Sequence, residues 1–312
     1  MIPLCDLHCD TAYNCFKNNT DFSDTTNHIN LKTLEGVYPY VQVLAHYIAD
    51  DVENKFGYFV DMLGHTVKIL SGSEAFKLCK CYNDILIAQE NGNYAAVLSI
   101  EGGDFFTDDD GYNKEVINRL SELSILFFSA CYNKGSNVCA GAFSDDDYGL
   151  TKLGEKVVKQ LYKSNIIIDL SHISHKSADD ILSFLPTGVV ATHSNCYELC
   201  KHRRNLYTGQ IRKIIQKRGL IGINLYPPFL SEKPVVNIDD IVNHILFILE
   251  LGGKHNVCFG ADFDGVETLP EGVKNISDMQ RVYDALLTAR VPESTVNDIF
   301  YNNVKKFIKR VF

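Results

Sequence analysis

No apolar run in this chain approaches the roughly 18–20 residues of a membrane-spanning helix. A helical membrane protein is therefore excluded. Basic residues are equally short of what nucleic acid requires. The net charge is −9, and the one basic cluster, Lys201-His202-Arg203-Arg204, is too short for a phosphate-binding surface. Neither nucleic acid nor a membrane is an expected partner. The opening MIPLCDLHCD has no basic region, long apolar stretch or small-residue cleavage site of a leader. The closing VKKFIKRVF lacks the pattern of a lipid-anchor signal. The expected location is the cytoplasm. Ten cysteines are present without the spacing of a disulfide framework. Close pairs such as Cys79-Lys80-Cys81 and Cys196-x-x-x-Cys200 are too irregular in spacing for a structural zinc site. Cys5, Cys131 and Cys258 fall in apolar runs, where reduced cysteine packs as a small hydrophobe. The acidic stretch 104–112 (DFFTDDDGY) lacks the ligand spacing and closing Glu of a calcium loop and reads as a surface turn.

What is present is alternation. Hydrophobic residues make up 46% and charged residues 22% of the 312, as in an ordinary soluble globular protein, and the length suits one barrel domain over 1–312. Strand-like runs fall at 3–8, 38–47, 95–101, 124–131, 165–171, 188–193, 219–225 and 256–262. Amphipathic helical stretches lie between them, such as 154–162, 177–184 and 239–251, the last stopped by Gly252-Gly253. Eight such βα units predict an α/β protein, a (β/α)8 TIM-like barrel. The competing doubly wound sheet usually carries a glycine-rich phosphate turn after its first strand. Here that turn is HCDTAYN, without a glycine.

Polar residues recur where those runs end. His8, Asp10, Glu101, His172, His193 and Asp262 each stand at or just past the end of an apolar run. A parallel barrel builds its active site from such positions. His8 and Asp10 are two residues apart, so on an extended strand both face one side and suit a zinc-like ion. The alternative is a core histidine and a helix-capping aspartate. Glu101 precedes Gly102-Gly103, which would let a ligand approach the backbone, or it is a turn residue. His172 and His193 end neighbouring runs in Ser-His and His-Ser contexts, with Asp169 placed to orient an imidazole. His175 reads as a loop residue. Asp262 is either a metal ligand or a general acid/base near a metal-held water, and Asp264 fits a turn.

The blocks DLHCDT, LSIEGGD, GLTKLGEKVVKQLYKSNIIIDLSH, VVATHSNCYELCKHRRNL, GLIGINLYPPFL and NVCFGADFDGV run through residues 6–265. Together they resemble the membrane (renal) dipeptidase family, the binuclear zinc dipeptidases of the amidohydrolase-like barrels. The resemblance implies two Zn2+ ions per chain. His8, Asp10 and Glu101 would hold one, and Glu101, His172 and His193 the other. Glu101 and a hydroxide would bridge them, since two cations lower the pKa of a shared water. Asp262 matches the acid/base residue. Arg204 matches the arginine that grips the substrate's terminal carboxylate through paired hydrogen bonds. Tyr226 matches a residue near the substrate pocket. The chain departs from the family in LFFSACYN, where Tyr132 takes the place of a histidine that steadies the oxyanion. A tyrosine hydroxyl can still donate there, which makes Tyr132 both a catalytic and a substrate-binding candidate. Without a leader or anchor the chain is closer to the soluble bacterial-type members, and the resemblance suggests a homodimer. The expected function is hydrolysis of small dipeptides with a free C-terminal carboxylate. The alternative, motivated by Tyr132, is a related metal hydrolase acting on an N-acyl amino acid or a lactam. An idle scaffold would have lost a ligand, and none is lost.

Overall fold

A computed structural model describes residues Met1–Phe312. Its strands are β1 (Ile2–Cys9), β2 (Val37–Tyr47), β3 (Phe76–Leu78), β4 (Tyr94–Glu101), β5 (Ile125–Phe128), β6 (Ile167–Ile168), β7 (Val190–Ala191), β8 (Leu220–Ile223) and β9 (Val257–Phe259). They form one parallel sheet in the order β6-β5-β4-β2-β1-β9-β8-β7. A parallel bridge from Asp169 to Val190 joins its two ends. Eight strands thus make a nearly closed TIM-like barrel with helices between them, as the alternating pattern predicts.

Two buried layers hold the barrel. Inside it, alternate strand residues (Cys5, Val41, Ala95, Ile167, Val190, Cys258 among them) form one cluster. The C-terminal helix Asn303–Val311 adds Val304, Phe307 and Ile308 to that cluster. Asn303 Nδ2 donates to the carbonyls of Lys254 and Val257, and Arg310 Nη2 donates to that of Arg218. These acceptors precede or begin β9 and β8, so the helix plugs the amino-terminal mouth and leaves the carboxyl-terminal mouth open. The opposite strand faces (Leu4, Tyr40, Leu98, Phe128, Ile221, Phe259) pack against the surrounding helices.

The predicted helices are present at Lys152–Lys163, His175–Phe184 and Ile238–Glu250. Each has a side-chain cap: Thr151, Ser174 and Asn237 accept from the first-turn amides. Three details differ from expectation. The strand β3 pairs with β4 beside the point where β5 begins, and three residues are too few to show a period. The acidic stretch 104–112 runs into a helix, Asp110–Glu122, because Asp109 accepts from the amides of Gly111 and Tyr112. The ladders of β6 and β7 are only two residues long. Beyond them side chains take over: Asp169 accepts from the Ser171 and Thr192 amides, and Ser171 Oγ accepts from the His193 amide.

Candidate metal centre and active site

Each ligand candidate stands at the open mouth for a local reason. A register shift in β1 between Asp6 and Cys9, relative to β2, frees the His8 amide from the ladder and turns its ring inward. Asp10 occupies the cap position of helix Thr11–Asn18 but makes no capping bond, so its carboxylate faces His8 instead. Glu101 ends β4. Gly102 follows at φ 81°, where a Cβ would lie 2.5 Å from the Ile48 carbonyl oxygen. His172 and Asp262 adopt left-handed backbone, φ 71° and 63°. Non-glycine residues hold that conformation at a cost, and such positions concentrate at functional sites.

The two oxygens of Glu101 face different groups. Oε1 lies 2.6 Å from His172 Nε2 and 3.5 Å from His193 Nε2, which are themselves 2.8 Å apart. Oε2 lies 3.4 Å from His8 Nε2. His8 Nε2 is also 3.4 Å from Asp10 Oδ2 and 3.6 Å from Asp262 Oδ1. Asn133 Oδ1 lies 2.9 Å from His172 Nδ1, and Thr192 Oγ1 lies 2.8 Å from His193 Nδ1. Asp169 therefore orients an imidazole at one remove, by accepting the Thr192 hydroxyl.

The electrostatics follow from burying this much charge. Burial acts to raise the Glu101 carboxyl, but the His8 and His172 imidazoles hold it well below its usual range. Burial and the Glu101 charge push Asp10 up to about 7. Burial also raises Asp262, with His8 opposing. Burial acts to lower His8, yet Glu101 and Asp10 raise it well above its usual value. Burial and Arg204 bring His172 down to about 4, and burial with His8 holds His193 well below its usual value.

Around this cluster lies a cavity of about 250 Å³ lined by Asp10, Tyr13, Tyr47, Tyr132, Asp262 and Asp264 among others. Larger grooves lie on the outer helices, away from these groups. Tyr132 stacks on His172 at 4.5 Å and meets Tyr47 edge-on at 4.8 Å. Burial and the Glu101 charge push its phenol up, so it remains a donor. Asp262 Oδ2 accepts from Asn224 Nδ2 at 2.8 Å, leaving Oδ1 toward His8. Gly265 lets these carboxylates meet, because a Cβ there would overlap Asp10 Oδ2 and sit 2.7 Å from Asp262 Oδ1. Arg204 is 5% exposed and lies over the Phe229 ring, with Nε and Nη2 buried and unpartnered. Its neighbour Arg203 is exposed and stacks on Phe143. Tyr226 is half-buried, edge-on to Phe229. Two residues stand apart from the centre. Asp264 accepts from Thr11 and the His28 amide and so ties a loop to the mouth. His175 is not a loop residue but starts a helix, stacked on Tyr207.

A sequence model described as membrane dipeptidase (peptidase family M19) matches residues 1–311. The chain belongs to the membrane dipeptidase family. It is thus a peptide-bond hydrolase, a dipeptidase of family M19. An uncharacterised protein from the pqqA 5′ region of Klebsiella pneumoniae is 28% identical over 268 residues, covering 81% of this chain and 97% of that protein. A Rhodobacter sphaeroides metallopeptidase, solved with a phosphinate mimic of the dipeptide L-Ala-D-Ala, has a similar fold. Its TM-score is 0.88 at 20% identity, covering 100% of this chain and 99% of that one. The dipeptidase AC, a family M19 metallopeptidase, gives 0.90 at 21% identity, covering 99% and 98%.

A metallopeptidase implies a metal, and the residues of this dipeptidase fit one. His8 comes within 4.8 Å of Glu101 and His193 in one group and of Asp10 and Asp262 in another. His8 Nε2 is buried with no hydrogen-bond partner. Three carboxylates and three imidazole nitrogens converging out of water are a donor set for a divalent cation. No helix is long and apolar enough to cross a membrane.

Sequence reasoning missed several residues here: Asn133, Thr192 and Asn224, which fix His172, His193 and Asp262, and the cavity tyrosines Tyr13 and Tyr47. Asn224 was within reach, since it follows β8 as the other site residues follow their strands. The tyrosines carry no local signal.

Proposed function

We propose that this dipeptidase works with two zinc ions on dipeptides that carry a free C-terminal carboxylate. Arg204 carries the reading. A guanidinium buried beside the acidic cluster with two nitrogens unpartnered is costly unless an anion completes it, and a terminal carboxylate matches its fork. Glu101 Oε2 with His8 and Asp10 suits one ion, and Oε1 with His172 and His193 the other. Bound there, the ions would supply a water of lowered pKa and a Lewis acid for the scissile carbonyl.

The chain's own residues do the rest. Arg204 fixes the carboxylate end of the substrate. Asp262, held by Asn224, takes the proton of the attacking water and hands it to the leaving amine. Tyr132 donates its hydroxyl to the carbonyl oxygen as negative charge develops there. Asn133 and Thr192 keep the His172 and His193 rings in place. Tyr226 borders the substrate beside Phe229. The L-Ala-D-Ala mimic held by the Rhodobacter sphaeroides enzyme supports tolerance of a D-residue on the carboxylate side.

Tyr132, standing where the family commonly has a histidine, favours a second reading: hydrolysis of an N-acyl amino acid or a lactam. A panel of L,L- and L,D-dipeptides, assayed with zinc and with chelator, separates the two. Dipeptide cleavage that chelator abolishes and zinc restores is the expected result. Cleavage of N-acyl amino acids alone by the zinc-loaded protein would replace the first reading with the second.

A further inference from the structure

The residues read as metal ligand and acid/base, His8 and Asp262, are held by a carboxylate that does not line the cavity. Asp6 lies in β1, 1% exposed, two residues before His8. Its Oδ1 accepts two amides, from His8 at 3.1 Å and from Ala261 at 2.9 Å. The first is the amide that the β1 register shift removes from the strand ladder. The second belongs to the residue just before Asp262, whose backbone is left-handed. Around this point β1 and the segment after β9 are otherwise tied by the Asp262 amide to the His8 carbonyl at 3.2 Å and the Asp10 amide to the Phe263 carbonyl at 2.9 Å. Asp6 therefore occupies the junction where two irregular segments must agree in register for His8 and Asp262 to meet at 3.6 Å.

The other oxygen sharpens the point. Oδ2 is buried and has no partner. A carboxylate retained purely for packing would be a poor choice here, since an apolar residue of similar size avoids that desolvation cost. What an apolar residue cannot do is accept the two amides. A buried amide left without an acceptor costs free energy and tends to move toward water or another partner. One amide is that of His8 itself and the other that of the residue joined directly to Asp262, so such movement would displace the site.

We propose that Asp6 is a positioning residue: by accepting the His8 and Ala261 amides it sets the distance between the metal ligand His8 and Asp262. The inference rests on the assignment of His8 as a ligand, and the experiment separates the two. Zinc is titrated calorimetrically into the metal-depleted wild type, Asp6→Ala and Asp6→Asn, with kcat, KM and thermal unfolding measured in parallel. Asp6→Ala loses the acceptor and is expected to bind zinc about 10- to 100-fold more weakly, the usual scale for a group that orients a ligand. Its kcat falls while KM, governed by Arg204, stays. Asp6→Asn keeps a carbonyl oxygen in place of Oδ1 and is expected to restore zinc affinity and kcat to near wild type. A loss of thermal stability shared by both variants, with zinc affinity and kcat unchanged, would overturn the positioning role. Should Asp6→Ala not fold, Asp6→Asn decides: weak zinc binding in that variant refutes the proposal. If the wild type itself binds no zinc, the ligand assignment fails, and the Asp6 proposal with it.

Discussion

Replacing Arg204 with methionine is expected to damage catalysis without damaging the fold. In the free protein this guanidinium is buried, its pKa is lowered by desolvation, and Nε and Nη2 have no acceptor. Its local gain is the contact with Phe229, 5.4 Å from ring centroid to Cζ, and a thioether also packs well on an aromatic ring. Arg204→Met therefore removes an uncompensated charge while keeping most of the packing, and thermal unfolding of the variant should be unchanged or shift upward. The substrate complex is different. Truncating one partner of a buried, hydrogen-bonded charge pair costs about 2–5 kcal/mol. A middle value of about 3 kcal/mol corresponds to a loss of roughly 150-fold in kcat/KM. Because the carboxylate is gripped alike in ground and transition states, the loss should appear mainly in KM. Steady-state kinetics on a dipeptide and on its C-terminal amide provide the test. Wild type and variant should differ on the dipeptide and converge on the amide. An unchanged KM for the dipeptide, or an equal loss on both substrates, would refute carboxylate recognition by Arg204.

Three other perturbations probe separate features. Glu101→Gln keeps the shape but removes the charge that both ligand groups face, so zinc titration should show both sites weakened together; two undisturbed sites would exclude the shared role. Gly265→Ala forces a Cβ between Asp10 and Asp262, so kcat/KM should fall with little change in the urea unfolding midpoint; full activity would show that the carboxylates relax freely. His46 is fully buried, bonded to the Ser99 carbonyl and the Thr66 hydroxyl, and burial lowers its pKa from 6.5 to about 4. Since the unfolded chain binds the proton more readily, stability is complete above pH 6.5 and declines as pH falls toward 4, by up to about 3 kcal/mol. Urea unfolding of the wild type and of His46→Gln at pH 7 and pH 4.5 should show a smaller acid loss in the variant, and equal losses would remove His46 from the account.

Most of the barrel was legible in the chain because hydrophobic periodicity is local. Runs such as AAVLSI and NIIIDLS fix where a strand must be buried, and each of the eight barrel strands overlaps one of those runs, β1, β2 and β4 reaching slightly beyond theirs. The rule that barrel chemistry gathers at the carboxyl ends of strands then singles out His8, Glu101, His172, His193 and Asp262 without any coordinates. Strand lengths were not legible in the same way. The ladders of β6 and β7 stop early because Asp169 and Ser171 accept the amides that a neighbouring strand would otherwise take, and such a bond joins residues 22 or 23 positions apart.

The sequence by itself therefore determined a βα-alternating chain with an acidic and imidazole-rich mouth, because buried strands and their polar ends are written in consecutive residues. Only the tertiary structure decided that Glu101 turns one oxygen to His8 and the other to His172 and His193, that Asp10 declines to cap its helix, that Tyr132 lies flat on His172, and that Asn133, Thr192, Asn224 and Asp6 hold these groups. Apart from the local Thr192–His193 and Asp6–His8 bonds, those contacts join residues from segments that meet only when the barrel closes, and no periodicity within a strand records which side chain will stand across from it.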